Sequence, residues 1–361
     1  MRVVLSGYYG FDNAGDEALL TAITRSLLSS SAGELECVVL SGNPSRTEAI
    51  HGVRAVGRMH PLVLLRELLR ADLLISGGGS LLQDVTGWRS IPYYLGVVAL
   101  AKLLGKPVAF YAQGVGPIRG ALGKYLTRMI ANRVNLITLR DQDSADLLRE
   151  LGVQDPPMKV TADPVFSMQP PVLDPAFAQS YLKEIGFSPE QPPIGLSLRR
   201  WKAFSAEDWA IFCDALQAAG LPVLLIPFQT PEDLVWCRQV SDLARSKPPV
   251  ADRPMTFIEL ISLVAAVPLL IGMRLHSLIF AACAGTPFEG LAYDPKVESF
   301  LGSFRRVPLA VPGFFDPVQA TAQVLESFAD RENTRTEIQM IAQKMKERSD
   351  ETARLVLSLL Q

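Results

Sequence analysis

Short apolar runs that end in or near glycine alternate along this chain with longer segments of helical periodicity. Such runs at 3–7, 36–41, 73–76, 108–113, 136–139 and 159–161 predict strands, and segments at 17–29, 91–104, 122–132 and 144–151 predict helices. Near-continuous apolar strands joined by helices are typical of parallel βαβ units whose sheet is buried on both faces. The first half of the chain is therefore expected to form one doubly wound α/β sheet.

A second series of strands and helices follows a proline-rich segment. Seven prolines fall between positions 163 and 193, and this density predicts a crossing between two lobes. Strands are then expected at 194–198, 223–227, 268–271 and 288–292, with helices at 206–218, 231–244, 257–266 and 275–284. The length of 361 residues also exceeds what one hydrophobic core usually organises.

The pattern predicts an α/β chain of two Rossmann-like lobes in a GT-B-like arrangement. We expect an N-terminal lobe over 1–170, a C-terminal lobe over 171–330 and a closing amphipathic helix over 331–361. In that last segment apolar residues such as Ile338, Ile341 and Met345 recur at helical spacing among charged ones. Ligands of such sheets sit beyond the carboxyl ends of the strands, so the loops there are the first places to search for a site.

The charge and composition of the chain limit the classes of partner and metal that it is expected to bind. The formal charge of −2 and a pI near 6.0 give no chain-wide attraction for nucleic acid or anionic lipid. The four cysteines lie far apart without CxxC spacing, which favours buried reduced thiols over disulfides. No HExxH motif or Cys/His cluster appears, so no metal site is expected.

The chain is expected to be cytoplasmic. Its first residues are too short and too quickly polar for a secretory signal and instead predict a strand. The longest apolar stretch, at 91–104, contains Lys102 and is shorter than the roughly 20 residues that a spanning helix needs. We therefore expect no transmembrane segment, with peripheral contact at the inner face of the membrane left open.

A glycine-rich turn at 7–17, Gly-Tyr-Tyr-Gly-Phe-Asp-Asn-Ala-Gly-Asp-Glu, follows the first predicted strand. Such a turn brings backbone N–H groups to a ligand, and Asp16 is expected to cap the helix that follows. Gly10 and Gly15 have P-loop spacing, but acidic residues stand where lysine and Ser/Thr would hold a triphosphate. A ligand-free tight turn and a loop that faces a sugar or phosphate both stay open.

Two further glycine turns follow predicted strands. Ser-Gly-Gly-Gly-Ser at 76–80 allows close backbone approach, with Asp84 just beyond it, and Gln-Gly-Val-Gly-Pro occupies 113–117. Glycine triplets also arise wherever a helix and a strand must pack closely. These turns alone therefore do not decide between packing and ligand binding.

The sharpest polar cluster is Gly-Met-Arg-Leu-His-Ser at 272–277, between a buried strand and a helix. A helix N-terminus with a guanidinium and an imidazole makes an anion site that can also donate a proton, so Arg274 and His276 are candidates for both roles. His51 and His60 show no comparable setting. Arg140 and Lys296 also stand at strand ends and are further candidates for anion binding. Without such a role, Arg140 would form an ion pair with a nearby carboxylate. Lys296 would then be a solvated charge in a loop.

Together these segments resemble the polysaccharide pyruvyl transferases. The resemblance rests on the turns at 7–17, 76–79 and 113–117, on Arg140-Asp141 and Ala162-Asp163-Pro164, and on 272–277, which match in order and spacing. The likeness is strongest to the bacterial cell-surface branch, whose members ketalate an N-acetylmannosamine unit of secondary cell-wall polymers. It is faintest at 172–192 and 229–254, where no motif matches.

The resemblance implies that phosphoenolpyruvate is held chiefly by the C-terminal lobe while the acceptor faces the N-terminal lobe. Carried over residue by residue, it implies phosphoenolpyruvate binding by Arg140, Arg274, His276 and Lys296. Catalytic roles fall on His276, Arg140 and Lys296. Two arginines suit an anion with both phosphate and carboxylate because guanidinium grips either group bidentately. His276 would protonate C3 of the enol, and Lys296 would steady the departing phosphate.

Acceptor contacts are expected at Asn13, Asp16, Gly78 and Asp84. Asp16 or Asp84 would orient or deprotonate an acceptor hydroxyl. The implied partners are phosphoenolpyruvate, as a co-substrate and not a cofactor, and a lipid-linked or oligosaccharide acceptor. No cofactor and no nucleic acid are expected.

Two other functions stay open at this point. A GT-B glycosyltransferase that uses a nucleotide sugar would explain the lobes and glycine turns, but it gives the Arg–His cluster no role. A non-catalytic sugar-phosphate binding protein would use the anion site, but it has no need of a proton donor beside it.

Overall fold

The computed structural model describes residues 1–31, 34–85, 87–311, 313 and 315–360. The chain forms two compact units. The first comprises Met1–Phe11, Asp16–Ser167 and the residues from Met345 onward, and the second comprises Asp12–Gly15 and Met168–Lys344. Each unit contains a parallel sheet joined by helices, so the α/β class predicted from the sequence is confirmed.

The sheet of the first unit has seven strands in the described residues, in the order β3-β2-β1-β4-β5-β6-β7. They are β1 (Arg2–Tyr9), β2 (Glu36–Ser41), β3 (Arg54–Gly57), β4 (Leu73–Gly77), β5 (Val108–Gln113), β6 (Leu136–Leu139) and β7 (Met158–Val160). The connecting helices are α1 (Ala14–Ser30), α2 (Pro44–His51), α3 (Pro61–Arg70), α4 (Ser90–Leu103), α5 (Ala121–Ala131) and α6 (Gln142–Glu150).

The sheet of the second unit has four strands in the described residues, in the order β11-β10-β8-β9. They are β8 (Ile194–Ser197), β9 (Val223–Leu225), β10 (Leu270–Gly272) and β11 (Phe288–Gly290). The helices are α7 (Pro175–Glu184), α8 (Ala206–Ala218), α9 (Glu232–Leu243), α10 (Phe257–Ala266), α11 (Leu275–Ala284), α12 (Pro295–Ser303), α13 (Pro317–Ala329) and α14 (Arg331–Leu357).

Two apolar layers cover the two faces of the first sheet, because successive strand side chains point to opposite faces. On one face Val4 packs in a buried cluster with Leu95 of α4. On the other face Val3 packs with Ile23 of α1 and Val356 of α14. This double covering explains why the strands read as continuous apolar runs in the sequence.

Several elements depart from the sequence prediction. The segment between β2 and β4 contains α2, β3 and α3, none of which was predicted, and α12 and α13 were also missed. Helix α1 begins at Ala14, so Asp16 lies inside its first turn and the prediction that Asp16 caps the helix is wrong. The helix predicted from position 331 is the continuous α14, whose residues up to Lys344 belong to the second unit and from Met345 to the first.

All four cysteines, Cys37, Cys213, Cys237 and Cys283, are free and buried, which confirms the prediction from their spacing. None of the helices among the described residues combines the length and apolar character needed to cross a membrane.

Candidate active site

Three neighbouring strands of the second sheet deliver their loops to one edge. In the parallel register Gly272 of β10 pairs with Ser197 of β8 on one side and Gly290 of β11 on the other. The residues that follow these strands therefore emerge together at the carboxyl edge, where α/β sheets bind ligands. Arg274 and His276 follow β10, and Lys296 follows β11.

Arg274 is the N-cap residue of α11, directly at the positive end of that helix. Its Nε and Nη2 donate to Oδ2 and Oδ1 of Asp233 at 2.9 and 2.5 Å, a bidentate fork. The Asp233 side chain is 1% exposed and also accepts the backbone N–H of Gln229 at 3.0 Å. The guanidinium is therefore fixed in orientation by a buried carboxylate, and Nη1 is not part of this fork.

His276 lies in the first turn of α11 and is half-buried. Gly15, which belongs to the same unit, lies against its imidazole: a Cβ built on Gly15 would be 2.2 Å from His276 Nδ1. Real Cβ contacts are essentially never shorter than 3.0 Å, so only glycine fits there with the imidazole as it stands. Two motifs far apart in the sequence thus meet at the predicted proton donor.

The neighbouring backbone explains how Gly15 reaches this position. Ala14 donates its N–H to the carbonyl of Phe228 at 3.4 Å, and Asn13 forms an isolated bridge with Gln229. The Asn13 side chain accepts the Gly15 N–H at 3.0 Å. Asn13 therefore shapes the turn that presents Gly15. The sequence predicted only acceptor binding for Asn13, not this structural contact.

Lys296 is the second residue of α12 and is 27% exposed. Its Nζ lies 3.4 Å from Oδ2 of Asp294, and its backbone N–H donates to Oδ1 of the same residue at 3.1 Å. Asp294 is the N-cap of α12. The ammonium is thus a partly exposed charge tethered at the carboxyl edge.

Arg199 is a cation at this edge that the sequence reasoning missed. Ser197 of β8 pairs with Gly272 of β10. Arg199 and Arg274 each stand two residues after these paired positions. The Nη1 of Arg199 donates to Tyr293 Oη at 3.1 Å, and its guanidinium lies 5.4 and 5.5 Å from the ring centroids of Trp201 and Tyr293. The position at a strand end, the criterion already applied to Arg140, was the signal that could have found it.

Arg140 belongs to the first unit and follows β6, where it joins several of the predicted motifs. Its Nη2 donates to Ser80 Oγ at 2.7 Å and its Nη1 to Asp163 Oδ2 at 3.3 Å. Nε lies 3.5 Å from Asp141 Oδ2, and a Cβ on Gly114 would be 2.8 Å from the guanidinium. With 5% of its side chain exposed, Arg140 is a buried organiser of the loops after β4, β5 and β7.

The glycine triplet makes a turn that other residues could not make easily. Gly78 and Gly79 have φ values of 75° and 82°, in the left-handed region that favours glycine. The carbonyl of Gly79 accepts the Gly114 N–H at 2.9 Å. A Cβ on Gly79 would lie 3.3 Å from Oδ1 of Asp16, so the Asp16 carboxylate lies against this turn.

The Asp84 side chain holds the backbone that leads into α5. Its Oδ2 accepts the backbone N–H groups of Arg119 and Gly120 at 2.8 and 2.7 Å, and these amides precede α5. Its Oδ1 is buried and makes no hydrogen bond to any described residue. One carboxylate oxygen is therefore committed to holding the start of α5.

His51, at the C-terminal end of α2, has polar partners that the sequence did not reveal. Its Nε2 lies 2.6 Å from Glu17 Oε2, and its Nδ1 lies 2.9 Å from Thr21 Oγ1. The other oxygen of Glu17 accepts the Gly10 N–H at 3.2 Å. The buried imidazole thus steadies the carboxylate that holds the glycine-rich turn.

The four residues predicted to bind phosphoenolpyruvate fall into two groups. Arg274, His276 and Lys296 share the carboxyl edge of the second sheet, and Arg140 lies at the carboxyl edge of the first. Among the residues that the structure describes, no three His, Cys, Asp or Glu side chains are grouped as metal ligands would be.

Solved structures with a similar fold cover nearly the whole chain. Staphylococcus aureus MnaA bound to UDP aligns with a TM-score of 0.67 at 10% identity, over 97% of this chain and 94% of that one. UDP-GlcNAc 2-epimerase from Neisseria meningitidis, bound to UDP-GlcNAc, gives 0.64 at 11%, over 99% and 100%. Anabaena HepE with UDP and glucose gives 0.65 at 13%, over 99% and 97%. These likenesses confirm the GT-B-like fold class.

Sequence comparison identifies the family. No curated protein matches the chain significantly. A sequence model described as polysaccharide pyruvyl transferase matches residues 13–295, which include Arg140, the Arg274–His276 cluster and the glycine turns after β4 and β5. The match covers well over half of the 361 residues. The chain is therefore an enzyme that belongs to the polysaccharide pyruvyl transferase family.

Proposed function

We propose that this enzyme transfers the pyruvate unit of phosphoenolpyruvate onto two hydroxyls of a cell-envelope saccharide, of N-acetylmannosamine type, and releases phosphate. The observation that carries the proposal is the cationic edge of the second sheet. There Arg274 is the N-cap residue of α11, His276 follows within the first turn of that helix, and Lys296 stands after the neighbouring strand. A trianionic enol ester is a ligand that these cationic hydrogen-bond donors and the N-terminus of α11 suit.

Binding would use the fixed guanidinium and the helix N-terminus together. The fork to Asp233 orients Arg274 before any ligand arrives, which lowers the entropy cost of binding. Arg199 would add a second guanidinium from the neighbouring strand, steadied by Tyr293. Lys296 would balance the phosphate as it leaves. Arg140, almost fully buried between two carboxylates, would order the loops of the first unit.

The reaction needs one proton donor and two nucleophilic hydroxyls. His276, as imidazolium, gives its proton to C3 of the enol, so that C3 becomes a methyl group and C2 an electrophile. One acceptor hydroxyl forms a C–O bond to C2 and loses its proton to the neutral imidazole of His276, which becomes imidazolium again. The second hydroxyl then forms the other C–O bond as the C2–O bond to phosphate breaks, and its proton balances the released phosphate. General acid catalysis of this kind contributes about 10²- to 10⁴-fold.

The acceptor would lie on the first unit. Tyr8 and Phe11 stack at 4.3 Å with a 13° angle, both 38% exposed, and the Arg58 guanidinium lies 5.3 Å from the Phe11 centroid. The C–H face of a pyranose ring stacks on such aromatic platforms. Asp16, which lies beside the Gly78–Gly79 turn, would orient an acceptor hydroxyl there.

The test is phosphate release from phosphoenolpyruvate with an N-acetylmannosamine-containing acceptor, with mass spectrometry of the product. His276→Gln should bind phosphoenolpyruvate about as well as wild type, yet release phosphate about 10²- to 10⁴-fold more slowly. Arg274→Lys keeps a charge but loses the fork, so phosphoenolpyruvate binding should weaken about 10- to 100-fold.

Arg238→Ala is the matched control, because Arg238 also pairs with an aspartate but is 55% exposed on α9. It should leave binding and turnover unchanged, and thermal unfolding should show that all three variants fold. Binding of a UDP-sugar in place of phosphoenolpyruvate, or a ketal-free product, would contradict the proposal.

A further inference from the structure

A long stretch of the first unit carries positive charge only. Residues 85–140 contain eight lysines and arginines and no aspartate or glutamate, although the formal charge of the whole chain is −2. This stretch includes α4 and α5. One of the eight, Arg140, is buried at the candidate site, whereas the cations of α5 and its flanks are exposed. The small net charge of the whole chain therefore does not reflect the basic surface formed by this stretch.

The basic surface centres on α5. Arg119, Lys124, Arg128 and Arg133 are all exposed on this helix and its flanks. Among the ion pairs formed by the described residues, none involves these four side chains. Within the part of the chain that the structure describes, these four charges are therefore not neutralised by an ion pair.

Apolar side chains are interleaved with these cations. Leu122, Tyr125 and Met129 stand at helical spacing on α5 and are 55%, 61% and 37% exposed. Trp88, which is 67% exposed, precedes α4. A Cβ built on Gly123 would lie 3.0 Å from Ile91, so the starts of α4 and α5 touch and Trp88 lies at the same end as Leu122. We call this set, with the four cations, the α5 face.

We propose that the α5 face docks on the surface of an anionic phospholipid bilayer. Cations beside exposed Trp, Tyr and Leu are the pattern of helices that lie in the membrane interface, with apolar groups below the headgroups and Lys/Arg at the phosphates. A nucleic acid would use the cations but give Leu122 and Met129 no apolar phase to enter. A second copy of the chain would bring like charges together.

The α5 face is held rigid from within the first unit. Asp84 accepts the amides of Arg119 and Gly120 at the start of α5. On the inner side of the helix Thr127 and Ala131 are buried. The exposed side chains are thus presented on a fixed support, so docking requires no refolding.

Vesicle co-sedimentation with the full chain tests this proposal without any substrate, and its outcome is independent of the proposed reaction. Wild type should bind vesicles containing phosphatidylglycerol and not vesicles of phosphatidylcholine alone, and binding should weaken with salt. The variant Lys124→Glu/Arg128→Glu should bind at least about tenfold more weakly. The variant Tyr125→Ser/Met129→Ser should also bind more weakly, but its residual binding should stay as sensitive to salt as that of the wild type, because all four cations remain.

Lys344→Glu/Arg348→Glu is the matched control, since these residues form an exposed Lys/Arg pair with the same spacing on α14. It should bind anionic vesicles within about twofold of wild type, because α14 packs on the opposite face of the first sheet from α5 and surface charge acts only over about a Debye length. Three results would overturn the proposal: no binding of wild type to anionic vesicles, equal losses in the two charge-reversal variants, or binding of duplex DNA without binding of vesicles. Circular dichroism would confirm that every variant is folded.

Discussion

Gly15 occupies a place where no side chain fits beside His276. Its Cβ would lie 2.2 Å from Nδ1 and 2.8 Å from the Cβ of His276, so Gly15→Ala should displace the imidazole. Since misplacement by about 1 Å can cost about 10²-fold in rate, we expect phosphate release to fall by that order while the fold is kept. Gly96→Ala is the control: apart from its chain neighbours and the backbone of α4 itself, no atom lies within 4 Å of its Cβ, and alanine there should stabilise the protein by about 0.5–1 kcal/mol.

A double-mutant comparison separates this steric effect from a general disturbance. If Gly15→Ala acts only by moving the imidazole, it should have little further effect in the His276→Gln background, because groups that act as a unit are not additive. Additive losses in the double variant would mean that Gly15 acts through something other than His276.

Helix α14 is one continuous helix that contributes buried residues to both units. Ile338 and Val356 are both fully buried, but Ile338 belongs to the second unit and Val356 to the first, where it packs with Ile23. Val356→Ala should destabilise the first unit by about 1–3 kcal/mol and Ile338→Ala the second by about 2–5 kcal/mol.

Hydrogen exchange resolves the two effects, since a single unfolding transition is not assured for a two-unit chain. Val356→Ala should speed exchange in β1 and β4, and Ile338→Ala in β8 and β10. Val318→Ala, at a 73% exposed site on α13, should change stability by less than about 0.5 kcal/mol. Uniform acceleration in both sheets by either variant would show that α14 does not divide in this way.

The elements that sequence predicts well are those buried on both sides. Strand β5 and helices α8 and α11 match the predicted bounds at both ends, because each is a continuous apolar run or a clear helical stripe. Strand β3 was missed because it has four residues at the sheet edge with only two of them buried. Helix α2 has one buried residue, Thr47, and so leaves no periodic signal.

The same limit applies to the candidate site. Arg274 and His276 could be predicted because a cation and an imidazole after an apolar strand are a local signal. Their partners could not, since Asp233 lies 41 residues away from Arg274 and Gly15 lies near the other end of the chain. Contacts of this kind depend on which strands are neighbours, and the β11-β10-β8-β9 order is not written in any one segment.

At the scale of the whole molecule, the reactivity of the buried thiols reports whether the protein is folded. Burial raises the pKa of Cys37 to about 11 and that of Cys213 to about 12, from an ordinary value of 9.0. It also raises the pKa of Cys237. Because the thiolate is the reactive form and burial blocks access, the native protein at pH 8 should react with Ellman's reagent very slowly, and all four thiols should react in guanidinium chloride.

The sign of the pH dependence follows from the same shifts. The folded protein keeps protons on Cys37 and Cys213 that the unfolded chain releases near pH 9. The stability that these thiols contribute is therefore complete below pH 9 and is lost as pH rises toward 11 and 12. Denaturant titrations at pH 8 and pH 10.5 should show a lower free energy of unfolding at the higher pH, with a smaller difference in Cys37→Ala/Cys213→Ala. A thiol that reacts within seconds in the native state would show that at least one cysteine is not enclosed by its core.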